Sequence, residues 1–171
     1  DGRRRMIYLQ PLGDFTEPQR RIITLTGEFV AAYFDLPVKV LPDLPLSLVP
    51  DEARRNSELS GRMQVYTRYV LYDVLAPRRP PDAAAVLALT AVDLWAGEGW
   101  NFVFGQASVH ERVGVWSLAR HGDPSRDAAA FTLCLRRTLK TAVHEIGHMF
   151  TMRHCILYEC AMNGSNSLAE K

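Results

Sequence analysis

A mixed α/β fold, of the α/β or α+β type with helices layered against a sheet, is predicted by three features of the sequence. Short apolar runs of strand length alternate with longer stretches of helical periodicity. Breaker residues separate them, with ten prolines and eleven glycines in 171 residues. Apolar residues make up 47% and charged residues 23%, which suits a single domain with one buried core, or one domain with a small appendage.

The elements are taken in chain order. Residues 5–12 (RMIYLQPL) read as a first strand. Thr16, Glu17 and Pro18 open a helix, with Thr16 as N-cap and proline in the first turn, where its missing N–H has no cost. Ile22, Ile23, Leu25, Phe29, Val30, Tyr33 and Phe34 give that helix an apolar face, and Pro37 stops it. Residues 38–41 form a second strand, residues 42–50 are irregular, and residues 64–75 are predicted as a second helix ending before Pro77. Residues 84–90 (AAVLALT) read as a buried strand, and residues 101–105 and 112–118 as two more. A polar loop over residues 120–127 leads into a last helix over residues 131–152.

Charge and composition exclude several classes. Twenty Lys and Arg balance nineteen Asp and Glu, and the basic residues are scattered as pairs, so no nucleic acid or anionic membrane partner is expected. Apolar runs stay short of the roughly 18 residues that a membrane helix needs. Three cysteines make no disulfide framework, and no apolar leader comes after residues 1–6. A cytoplasmic monomer is the expectation.

The chemistry is concentrated at the end of the last helix and in the segment just beyond it. Five histidines occur in the chain, and three of them lie in HEIGHMFTMRHC, at His144, His148 and His154. Residues four apart on a helix sit about 40° apart on one face, so His144 and His148 can reach one metal ion. Glu145 lies about 100° round the helix, placed to approach a water on that ion without being a ligand. His154 would stand about 15 Å along a straight helix from His144, too far to share the ion. Participation of His154 therefore requires the helix to end between His148 and His154 and the chain to turn back. Cys155 and Cys160 could supply half of a tetrahedral zinc site. Cys134, inside the helix, reads as a buried inert thiol, and His110 and His121 as surface residues near loops.

The run HEIGHMFTMRHC-ILYE-CAM resembles the archaemetzincin signature, HExxHxxGxxHC, then four residues and Cys-x-Met. NFVFGQAS, ERVGVWSLAR and the MNGSNSL that begins at Met162 are similar to the family as well. The resemblance implies a compact metzincin-like fold: a twisted mixed sheet, a backing helix, an active-site helix and a small C-terminal subdomain. It places the N-terminal subdomain at about residues 1–148 and the incomplete C-terminal one at about residues 149–171. His144, His148 and His154 would bind a catalytic zinc. Glu145 would be the general base activating the zinc-bound water, and Met162 the Met-turn floor under the metal. Cys155 and Cys160 would help hold a second, structural zinc, incomplete without the family's later CxxC. Val113, Gly114, Val115, Trp116, Ser117 and Leu118 would form the edge strand to which a peptide or protein substrate adds, or an ordinary sheet edge with no ligand. The family's glycine at the helix-breaking position is Thr151 here, which strains a left-handed turn or forces another one. The implied activity is zinc-dependent hydrolysis of peptide bonds by an aminopeptidase or an endopeptidase. The alternative is a metal-stabilised protein-interaction module with little turnover.

Overall fold

The computed structural model describes residues 4–164. The chain opens with strand β1 (Met6–Leu12), helix α1 (Glu17–Phe34) and strand β2 (Val38–Val40). Two short strands come next, β3 (Arg54–Asn56) and β4 (Met63–Tyr66). The turn α2 (Thr67–Tyr69) runs directly into a π-helical stretch, Val70–Leu75. Strands β5 (Ala83–Thr90), β6 (Asp93–Trp95), β7 (Gly105–Ser108) and β8 (Val113–Ser117) precede the long helix α3 (Ala128–Met149).

Five strands form the main sheet in the order β2-β1-β5-β8-β7. All neighbours run parallel except β7, which is antiparallel to β8. A smaller sheet has the order β3-β4-β6. Successive side chains of a strand point to opposite faces, and both faces of the main sheet are covered. Val86 and Ala88 of β5 pack with Val113 and Val115 against Val70, Leu71, Val74 and Leu75. Ala85, Leu87 and Leu89 pack with Trp116 on the other face, against Ile23 and Val30 of α1 and Ala142, Ile146 and Met149 of α3. The result is three layers, with α3 lying across the sheet beside β7 and β8.

Local chemistry sets the helix starts. The Gln19 side chain accepts from the Thr16 N–H at 2.9 Å, closing the entry to α1. Asp127 caps α3 by accepting from the Ala130 N–H at 2.7 Å, and this bond, with Arg126 beside it, holds the carboxyl below the usual range.

Several expectations need correction. Residues 64–66 are strand, because Gln64, Val65 and Tyr66 pair with Asp93, Leu94 and Trp95 of β6. The strand predicted over residues 101–105 begins at Gly105, after an isolated bridge between Val103 and Leu94. The last helix occupies Ala128–Met149, three residues earlier at each end than predicted. The expected edge strand is the largest correction. Val113, Gly114, Val115, Trp116 and Ser117 pair with β5 on one side and β7 on the other, and all five are buried. Leu118 lies past the strand end, its N–H donating to the Thr90 carbonyl. The open edge of the sheet on this side belongs to β7.

Candidate metal centre

The C-terminal turns of α3 carry the candidate site. His144 and His148 project from one face of the helix, with their Nε2 atoms 3.0 Å apart. The helix then stops. Its cap is Phe150, after which Thr151 adopts φ +71°, the left-handed region. The Thr151 N–H donates to the His148 carbonyl at 2.9 Å, and the Met152 N–H to the Gly147 carbonyl at 3.0 Å. That pair of bonds is a Schellman motif, ordinarily built with glycine in the left-handed position. It reverses the chain and brings the Nε2 of His154 to 3.2 Å from that of His144. The turn predicted from the spacing is therefore present, and threonine adopts the strained conformation instead of avoiding it.

The same turn orients the rings. The Nδ1 of His148 faces the Met152 carbonyl at 2.8 Å, and the Nδ1 of His144 faces the Ala161 carbonyl at 2.8 Å. A carbonyl oxygen only accepts, so in both rings Nδ1–H donates. A ring with its proton on Nδ1 offers an Nε2 lone pair, and the Nε2 atoms of His144 and His148 face each other. Such an arrangement suits a cation. Three nitrogens at about 2.0–2.1 Å from a tetrahedral zinc lie about 3.3 Å apart, close to the spacing seen here. Among the described residues, His144, His148 and His154 form the one group of three side chains that could hold a metal ion.

Glu145 is buried, at 5% exposure, and lines the same cleft of about 1040 Å³ as His144 and His154. Its carboxylate lies against the backbone at the start of β7. A Cβ added at Gly105 would stand 2.6 Å from Glu145 Oε1, so only glycine leaves the carboxylate its place. Met162 sits beneath the histidine helix: a Cβ on Gly147 would meet its sulfur at 2.5 Å. The segment between His154 and Met162 is closed by backbone and side-chain bonds. The Cys155 N–H donates to the Met162 carbonyl at 2.9 Å, and the Asn163 Nδ2 donates to the Cys155 carbonyl at 2.7 Å. The Cys160 N–H donates to Asn163 Oδ1 at 2.6 Å.

Cys155 and Cys160 are brought together. Backbone N–H groups of Leu157 and Tyr158, and then the Cys160 side chain, lower the Cys155 thiol below its usual range. Cys134 is enclosed with Ile22 and Leu118, and burial pushes its thiol up to about 11. It is the inert thiol expected. His110 is exposed, also as expected. His121 is not a surface residue: it is fully buried, with Nδ1 3.1 Å from Thr138 Oγ1 and Nε2 3.4 Å from Thr141 Oγ1, tying the loop after β8 to α3. Residues 165–168 of the MNGSNSL run lie outside the described residues. The roles of Asn163 and Gly105 are not predicted by any motif in the sequence. An asparagine before Gly164 and a glycine opening a strand are the available signals.

A model of peptidase family M54 matches residues 82–171. The chain is 35% identical to archaemetzincin-2 of Homo sapiens, over 98% of this chain and 54% of that protein. It is 41% identical to archaemetzincin of Thermococcus kodakarensis, over 96% of this chain and 86% of that protein. The crystal structure of archaemetzincin from Methanopyrus kandleri superposes with a TM-score of 0.74 at 34% identity, covering 99% of this chain and 86% of that one. The chain belongs to peptidase family M54, the archaemetzincins. It spans about half the length of the mammalian relatives, 54% in the human case. No helix among the described residues is long and apolar enough to cross a membrane.

Proposed function

We propose that this chain is a zinc-dependent peptidase in which His144, His148 and His154 hold the catalytic metal and Glu145 acts as general base. The observation that carries the reading is the convergence of three imidazoles, with the buried Glu145 carboxylate lining the same cleft as two of them. A bound zinc would supply Lewis acidity to a scissile carbonyl and acidify a water beside it. Glu145 is held at the cleft floor by α3 and by the close approach of Gly105, where its carboxylate can take the water's proton and deliver it to the leaving amine. The Ala161 and Met152 carbonyls fix the tautomer and direction of two rings. Met162 closes the apolar floor. Gly105, at the start of the open edge strand β7, lines the cleft, so an extended peptide can pair with β7 rather than with β8. Cys155 and Cys160 stand ready as two ligands of a second, structural zinc.

A purely metal-stabilised interaction module needs no buried carboxylate beside its ion, and Glu145 argues for turnover. Zinc-loaded protein should cleave a mixed peptide library, and a chelator should stop it. Glu145→Gln should keep stoichiometric zinc by elemental analysis while losing at least about a hundredfold in rate. Undiminished cleavage by that variant would remove Glu145 from the reaction. Paired substrates with free and acetylated N-termini separate an aminopeptidase from an endopeptidase.

A further inference from the structure

Two separate devices orient the rings of the histidine cluster. The Nδ1–H of His148 donates to the Met152 carbonyl at 2.8 Å, inside the turn that ends α3. The Nδ1–H of His144 donates at 2.8 Å to the Ala161 carbonyl, in the segment that follows His154. Apolar packing does not hold that segment, since no residue from Cys155 to Ala161 is buried. Its shape rests on hydrogen bonds, and three of them belong to one half-buried side chain, Asn163. The Asn163 Nδ2 donates to the Cys155 carbonyl at 2.7 Å and to the Tyr158 carbonyl at 2.9 Å, and its Oδ1 accepts from the Cys160 N–H at 2.6 Å. The amide thus engages its donor and acceptor atoms together on the backbone of one loop. The groups it grips stand beside the site: Cys155 follows His154, and Cys160 precedes Ala161. The next residue, Gly164, lies against the third ring, since a Cβ there would stand 3.4 Å from His154 Nδ1.

We propose that Asn163 is a positioning residue of the metal centre, whose amide holds the Ala161 carbonyl on His144 Nδ1 and fixes the loop that begins at His154. The inference deepens the peptidase reading and rests on its ligand set of His144, His148 and His154. A carbonyl that fixes the tautomer and direction of an imidazole strengthens it as a ligand, and loss of such a partner lowers metal affinity by about 10–100-fold. His148 is independent of Asn163, because its carbonyl partner comes from the helix-ending turn. The amide therefore acts on His144 and His154 and leaves His148 alone.

The test uses the full chain carrying Cys155→Ser and Cys160→Ser, so that zinc is read at the histidines alone. The Asn163 side chain bonds only to the backbone of those two residues. Asn163→Ala and Asn163→Leu are added to this parent, the second at nearly constant side-chain volume. Zinc affinity is measured by competition with a chromophoric chelator, and the imidazole N–H protons of zinc-loaded protein are followed by nitrogen-edited NMR. Both variants should bind zinc about 10–100-fold more weakly than the parent. In both, the His144 Nδ1 proton should exchange rapidly with water while the His148 Nδ1 proton stays protected. Circular dichroism and melting of the chelated protein should change little, because residues 155–161 contribute nothing to the buried core. Selective loss at His144 separates positioning from a general loosening, which would expose both protons. Undiminished zinc affinity in either variant, a His144 proton that stays protected, or equal loss of both protons overturns the inference. A parent that binds no zinc overturns the ligand set and the inference with it. Zinc binding that depends on Asn163, in wild-type chain that cleaves no peptide, supports the inference and strikes the peptidase reading alone.

Discussion

Thr151 shows how much one backbone angle carries. Its φ of +71° places a β-branched residue where the left-handed region costs an L-amino acid roughly 1–2 kcal/mol. The strain persists because the turn does two jobs: its bonds to the Gly147 and His148 carbonyls end the helix, and the reversal delivers both the Met152 carbonyl and His154. Thr151→Gly relieves the strain but adds about 0.5–1 kcal/mol of unfolded-state freedom. The net expectation is a gain of about 1 kcal/mol, seen as a melting temperature about 2–4 °C higher with the histidine cluster intact. A lower melting temperature would show that the threonine side chain makes a compensating contribution. This residue was legible as a departure from the glycine of the family pattern, and spacing alone required a turn before His154. The partners of the rings were not legible. The Ala161 carbonyl reaches His144 only because residues 155–162 close on themselves, and a side chain outside the histidine motif, Asn163, holds that closure.

The elements divide by length and by how their neighbours cover them. α1, α3, β1 and β5 carry long, strongly patterned apolar runs, and each appears within a few residues of its expected bounds. The small sheet was hidden, because strands of three and four residues carry no period of their own. Gln64 enters β4 through hydrogen bonds from its Nε2 to Asp93 Oδ2 and to the Asn101 carbonyl, which only the folded chain provides. The misassigned edge did have a signal. VGVWS is apolar on both faces, the pattern of an interior strand, whereas GQAS is the polar, weakly patterned run of an open edge. The importance of β7 rests on Gly105. Gly105→Ala places a Cβ 2.6 Å from Glu145 Oε1, and the carboxylate or the strand must shift by several tenths of an ångström. Expected are retained zinc, a near-unchanged fold by circular dichroism, and a fall in kcat of about tenfold or more, since displacing Glu145 would cost the alignment that its proposed role as general base requires. Unaltered kcat would mean that the base acts from another position, and loss of zinc would mean that Gly105 supports the histidines themselves.

At the scale of the molecule, the C-terminal segment is held differently from the core. The three layers are fixed by apolar burial, whereas residues 156–158 place Ile156, Leu157 and Tyr158 at 91%, 79% and 75% exposure. The bonds that join this segment to α3 run through the candidate site: His144 to the Ala161 carbonyl, Met162 against Gly147, and His154 beside His144. A cation shared by His144, His148 and His154 would therefore cross-link the segment to the helix, and its binding free energy would add to folding, because the unfolded chain has no such cluster. At zinc concentrations a thousandfold above the dissociation constant the gain is about 4 kcal/mol. For a domain of this size that raises the melting temperature by about 8–16 °C between chelated and zinc-loaded protein in scanning calorimetry. His154→Ala should abolish most of the increase, because two ligands on one helix hold the metal without tying the segment to it. Glu145→Gln should preserve the increase, since the proposed ligand set of His144, His148 and His154 does not include its carboxylate. An equal increase in the His154 variant would place the third ligand elsewhere, and no increase in the wild type would mean that zinc does not bind the folded chain.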